Sequence, residues 1–181
     1  MAPRRTCADS NPQEPARLLI AGLGNPLMAD DGIGHAVVRG LEERDLSPGI
    51  RLSTIDGDVL ALTELWSGEP AVWLVDAVSG GLSAGTVRIF EHRELLDLPA
   101  DGFSTHRVSL SEHLRWLLHG WPEIADVKFR LYGIEVGAVR PERGLSPVCE
   151  TAANRLVDQL QGAARSWAAS SLATQEVLKG G

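Results

Sequence analysis

The stretch from Arg17 to Gly34, RLLIAGLGNPLMADDGIG, constrains the fold more than any other in the chain. Leu18, Leu19, Ile20 and Ala21 form a continuous apolar run, the pattern of a strand buried on both faces. Gly22, Gly24, Asn25 and Pro26 then predict a break, because these residues permit positive φ or fix it at about −65°. Two adjacent carboxylates come next, Asp30 and Asp31, and then the amphipathic spacing Ile33, Ala36, Val37, Leu41. The stretch therefore reads as strand, loop and helix start. Acids just ahead of a helix are favoured by its partial positive charge, so the pair has a purely structural explanation. In an open α/β sheet, however, the loop at a strand's carboxyl end is also where ligands bind.

The first helix is predicted from about Ile33 to Arg44, and Ser47, Pro48 and Gly49 make a turn. Ile50 to Asp56 alternates as a second strand, and Asp58 can cap a helix carrying Val59, Leu60, Leu62, Leu65 and Trp66. Ala71 to Val75 is a third strand, continuously apolar and hence central, ending at Asp76. Thr86 to Glu91 alternates as a half-buried fourth strand. The Gly-rich loop Ser79 to Gly85 is too short for the crossover that parallel neighbours need, so the fourth strand should oppose the third. Residues 92 to 108 read as irregular. Ser109 and Glu112 have capping-box spacing before a helix carrying Leu114, Trp116, Leu117 and Leu118. Asp126 to Glu135 is the fifth strand. Ser146-Pro147 starts a last helix striped by Val148, Ala152, Leu156, Val157 and Leu160. The sum is an α/β fold, a three-layer α/β/α sandwich on a five-stranded mixed sheet with one antiparallel strand. Residues 17–161 form a single domain in this reading. The polar, proline-containing residues 1–16 are expected to be a disordered lead-in, and the Ala/Ser-rich residues 162–181 a flexible tail.

Composition narrows the function. A formal net charge of −7 disfavours nucleic acid and anionic membrane surfaces as partners. Arg4 and Arg5 resemble the start of an export signal, but TCADSNPQEPAR after them has no apolar core, and no run is long enough to span a membrane. Two cysteines, Cys7 and Cys149, make no disulfide framework, which favours a reducing cytoplasm.

Three polar groups occupy comparable places: Asp31 after the first strand, Asp76 at the end of the third, and His106 in the loop after the fourth. Two carboxylates and an imidazole at one sheet edge suit an open metal site of borderline hardness. Each also has a structural reading, as a helix-start acid, a strand-end turn former and a surface loop residue. His35, His92, His113 and His119 read as structural or exposed, and Cys149 as a buried inert thiol. Gly22-Leu23-Gly24 begins a dinucleotide fingerprint, yet Leu27 stands where its third glycine belongs and Pro26 lacks an amide donor.

Four pieces together resemble the hydrogenase maturation proteases: GLGNPLMADDGIG (Gly22 to Gly34), VDAVSGGLSAGTV (Val75 to Val87), STHRVSL (Ser104 to Leu110), and YGIE with GLSP (Tyr132 to Glu135, Gly144 to Pro147). The resemblance implies an endopeptidase that removes the C-terminal extension of a nickel–iron hydrogenase large-subunit precursor. It implies that Asp31, Asp76 and His106 are the catalytic, metal-contacting positions. The nickel would be carried by the substrate, with no resident cofactor, and the enzyme would be a cytoplasmic monomer. Asn25, Asp56 and Gly57 are the candidates for substrate recognition. Here the chain departs from the family pattern, since Asp56-Gly57 is followed by Asp58-Val59 where the family usually has Gly-Thr. Two alternatives stand beside this reading. One is a non-catalytic, chaperone-like module binding a nickel site on the same fold. The other is an enzyme similar to the peptidyl-tRNA hydrolases, whose first loop GLGNP (Gly22 to Pro26) resembles, although paired acids stand here where that family has a histidine.

Overall fold

A computed structural model of the chain describes residues 17–98, 110–137 and 139–179. Five strands make one sheet: β1 (Leu18–Gly24), β2 (Ile50–Asp56), β3 (Ala71–Val78), β4 (Val87–Glu91) and β5 (Lys128–Glu135). Their order across the sheet is β2-β1-β3-β5-β4. All pairings are parallel except β4 with β5. β4 thus opposes the direction of β3, as its short connection requires, but its hydrogen-bonding neighbour is β5, which lies between them.

β1 and β3 are buried along their whole length. Alternate residues feed two separate cores. Leu18 and Ile20 of β1 join Trp73 and Val75 of β3 on one face, under the helices α1 (Ile33–Glu42) and α5 (Pro147–Lys179). Leu19, Ala21 and Leu23 join Val72 and Leu74 on the other. That face is covered by a short helix α2 (Leu62–Leu65), α3 (His92–Leu96) and α4 (Leu110–Gly120). Each fully buried Leu or Ile contributes about 1.5–3 kcal/mol, so two faces of such residues give the sandwich its main support.

The edge strand β2 is mostly half-buried, and its partly exposed Arg51 pairs with a buried carboxylate. Glu69 is fully buried; its Oε1 accepts from Arg51 Nε at 2.6 Å, and its Oε2 accepts from the Ser67 N–H at 2.8 Å. Every oxygen of this carboxylate has a donor.

Several sequence boundaries need correction. β1 continues through Gly22 to Gly24 rather than breaking at Gly22. A side chain at Gly22 would meet the Gly34 carbonyl, and one at Gly34 would meet the carbonyls of Leu23 and Val75. The glycines serve close packing of α1 onto β1 and β3, not a turn. Asp58 does cap, accepting the Leu60 N–H at 2.9 Å, but it opens a 3-10 turn (Val59–Ala61) and a single turn of α2 rather than one longer helix. Residues 92–96 are helical, held by a reciprocal capping box between Glu91 and Glu94. α5 does not end near residue 161 but runs to Lys179. Its alanines are the best helix formers, and no proline after Pro147 stops it. Residues 1–16, including Cys7, and 99–109, including His106, lie outside the described residues. Among the described residues no helix is long and apolar enough to cross a membrane.

Candidate active site

The site begins where β1 ends. Gly22 lies opposite Val75 in the parallel register, so Asp76 is one step further on β3. Gly24 is opposite Asp56, the last residue of β2. Three strand ends therefore open on one edge. Gly24 has φ +119°, and a side chain there would collide with the Asp31 carbonyl. Gly32 lies against Pro26 in the same way. Glycine at both places lets the loop fold back on itself and sink its acids: Asp30 and Asp31 are both buried, in a short 3-10 turn (Ala29–Gly32) that leads directly into α1. Ala29, just before them, has φ +50°, a left-handed backbone uncommon for a non-glycine residue and a local strain that the surroundings must hold. A parallel bridge between Met28 and Glu142 does part of this, with the Ala29 N–H donating to the Glu142 carbonyl at 2.7 Å.

The two adjacent acids face different partners. Asp30 accepts from the Ser146 N–H at 2.7 Å and from Ser146 Oγ at 3.0 Å, which ties the first loop to the start of α5. Asp31 Oδ2 accepts from the Asn25 N–H at 2.9 Å. It also acts on Asp76. The Asp76 carboxyl is pushed up to about 8 from an ordinary 3.8, first by burial and then by the negative charge of Asp31, with the Ala77 N–H donating at 2.9 Å as a smaller opposing influence. Burial and a like charge both favour the protonated acid. At neutral pH Asp76 holds its proton in this arrangement.

An open cleft of about 650 Å³ lies above, lined by Asn25, Pro26, Leu27, Met28, Asp31, Asp56, Gly57 and Val139. Asp31 reaches its wall; Asp76 is not part of the lining and is only 2% exposed. The candidates Asn25, Asp56 and Gly57 line the same cleft as Asp31. Asp56 is met from behind by His35, whose Nε2 lies 3.4 Å from Asp56 Oδ1 and 3.3 Å from the Ile55 carbonyl. His106 lies outside the described residues, and among those described no group of three or more His, Cys, Asp or Glu side chains could hold a metal. The chemistry of the pair suits a divalent cation, because a positive charge would offset both the burial and the Asp31 repulsion that favour the protonated Asp76, and carboxylate oxygens accept such ions.

Sequence reasoning missed the apolar part of the cleft. Leu27 and Val139 are about half exposed on its walls. The only signal was the apolar pairs Leu27-Met28 and Ala138-Val139 in stretches between regular elements. Glu135, at the end of β5, was also missed as a group in its own right. It is buried, and its Oε1 accepts from the N–H groups of Gly80 and Gly81 at 2.7 and 2.8 Å, which fastens the Gly-rich loop after β3. Of the histidines read as structural, His92 accepts the Phe129 N–H at 3.2 Å and stacks on the Phe129 ring. Burial and the neighbouring charges of Lys128 and Arg93 hold its imidazole below the ordinary range. Cys149 is fully buried and its thiol is pushed up by burial, so the thiolate needed of a nucleophile is disfavoured.

Comparison with known proteins bears on this geometry. A family model described as hydrogenase maturation protease matches residues 36–162. The chain is 27% identical over 154 residues to the hydrogenase 2 maturation protease of Escherichia coli, covering 82% of this chain and 91% of that protein. Among solved structures, it is similar to the [NiFe] hydrogenase maturation protease HybD from Thermococcus kodakarensis, with a TM-score of 0.70 and 25% identity over 82% of this chain and 99% of that one. It is similar also to the hydrogenase maturating endopeptidase HybD from E. coli, with a TM-score of 0.69 and 27% identity over 83% of this chain and 93% of that one.

Proposed function

Since the chain belongs to the hydrogenase maturation protease family, and so is an endopeptidase of hydrogenase maturation, we propose that it removes the C-terminal extension of a nickel-loaded nickel–iron hydrogenase large-subunit precursor in the cytoplasm. The observation that carries this reading is the Asp31–Asp76 pair. Burial first and the Asp31 charge second favour the protonated form of Asp76, beside a cleft open enough for a peptide segment. Such a pair is well matched to a cation arriving with the substrate.

The residues divide the work. Asp31, oriented by the Asn25 N–H, offers a charged carboxylate at the cleft wall. Asp76 holds a proton beneath it and gives that proton up when positive charge approaches, so the pair's charge adjusts to its substrate. His106, in the segment between α3 and α4, is proposed as the third contact. Leu27 and Val139 give the peptide apolar walls, and Asp56 and Gly57 form the rim that distinguishes one precursor from another. Nickel in the precursor, held by these groups, would fix a tail that otherwise samples many conformations. Turning such an encounter into a positioned one can supply several kcal/mol of a barrier.

The test is to incubate the purified protein with nickel-loaded and nickel-free precursor and monitor the mass of the large subunit. Shortening of the loaded form alone supports the reading. Equal cutting of both forms leaves a protease without metal gating. Tight binding of the loaded precursor with no cutting favours the chaperone-like alternative.

A further inference from the structure

The cleft has a continuation. Asp56 and Gly57 line it, and the next residue, Asp58, turns away toward α4. The Asp58 oxygen that accepts the Leu60 N–H also lies 3.0 Å from His113 Nδ1. His113 in turn packs its ring 5.2 Å from that of Trp116. A line of contacts thus runs from the cleft rim, through a carboxylate and an imidazole, to an indole on the surface of α4. Trp116 is 58% exposed, and it is the one aromatic among the exposed large apolar residues described. Leu60, in the turn that packs on α4, is 37% exposed.

We propose that Trp116 and Leu60, held beside the rim by the Asp58–His113 contact, form a second docking surface for the folded body of the large-subunit precursor. This rests on the substrate reading above. The cleft would take the tail and the α4 face the protein from which the tail emerges. Size supports a second surface: a specific protein complex engages about 20–30 residues a side, whereas the cleft is lined by eight. Contact must therefore continue beyond the rim. On the β2 side it continues onto the face just described, and a rigid, half-exposed indole is the kind of group that anchors interfaces. The position that carries the chain's departure from the family pattern, Asp58, is the one that clamps this surface to the cleft. Ile89, exposed on β4 at the opposite edge of the sheet, provides the control.

The experiment measures binding and cleavage of purified, nickel-loaded large-subunit precursors from the same organism, each with its extension intact. Wild type, Trp116→Ala, Leu60→Ser, His113→Ala and Ile89→Ser are compared. Trp116→Ala should raise Kd and KM about tenfold while lowering kcat much less, the effect of losing an interface anchor rather than a reacting group. Leu60→Ser and His113→Ala should act in the same direction and less strongly, and Ile89→Ser should match wild type. The proposal is overturned if Trp116→Ala binds as wild type does, if it lowers kcat without raising KM, or if Ile89→Ser weakens binding equally. If wild type binds and cleaves a precursor and Trp116→Ala does so unchanged, only the docking surface falls. If wild type neither binds nor cleaves any of them, the substrate reading falls and takes the surface with it.

Discussion

Glu69, just before β3, and Asp76, on β3, are both buried carboxylates, and they are treated in opposite ways. Glu69 meets Arg51 and the Ser67 N–H, so its charge is compensated on both oxygens. Asp76 meets the Asp31 charge and the Ala77 N–H. The first arrangement holds an edge strand in place. The second raises the free energy of an ionised acid and leaves it so, which a fold tolerates where another function requires it. Asp30 and Asp31 repeat the contrast one residue apart. Asp30 is spent on Ser146, while Asp31 is aimed at the cleft and at Asp76. Burial of an acid thus says little by itself; what faces it separates a support from a site.

The comparison can be broken most sharply at the frustrated pair. Asp76→Asn should reduce precursor processing by at least about a hundredfold, the loss expected when a group acting on the reacting centre is removed. The same change should make the protein more stable at pH 8. An unfolded Asp carboxyl ionises near 3.8 and the folded one near about 8. Between those values the folded state holds a proton that the unfolded state has released, so wild-type stability falls as pH rises from about 4 to 8 and then levels. Urea melts across that range should show the fall in wild type and a smaller one in Asp76→Asn. Loss of both activity and stability would make Asp76 a support like Glu69.

Arg51→Ala tests the other side. It strands the Glu69 carboxylate and should cost about 3 kcal/mol, the low end for a broken buried pair because Arg51 is one-third exposed. Below its lowered melting point, processing should stay near the wild-type rate, since the pair lies away from the cleft lining. A smaller effect is expected at Asp30. Asp30→Asn weakens the charge-assisted bonds to Ser146 and should cost about 1–2 kcal/mol, with processing reduced less than by Asp31→Asn. Denaturant titration and the mass assay rank the two variants, and the reverse ranking would exchange their roles.

Much of this layout was legible from sequence. The continuous runs Leu18 to Ala21 and Ala71 to Val75 mark central strands because a strand buried on both faces leaves no polar position. The short loop before Val87 dictated the one antiparallel strand, although not that β5 would be its neighbour, since strand order depends on contacts distant along the chain. The candidates Asp31 and Asp76 could be brought together because parallel neighbours end at one edge. Gly22 was misread as a breaker, since its need arises only when α1 packs against β1, whereas Gly24, with φ +119°, does end the strand. The helix at 92–96 was missed because its signal is a capping box with only Leu95 fully buried. Val139 and Leu27 could not be joined to the site, because the Met28–Glu142 bridge is a long-range contact with no local pattern.

The claim that Asp76 is held protonated by burial and by Asp31 can be measured directly. Carbon-13 NMR of labelled aspartate carboxyls, recorded from pH 4 to pH 10 in metal-free protein, reports the titration of Asp76. It should titrate near about 8 in wild type and move down toward the ordinary carboxylate range in Asp31→Asn, where the like charge is gone. An Asp76 that titrates as an ordinary carboxylate in both proteins would contradict the account.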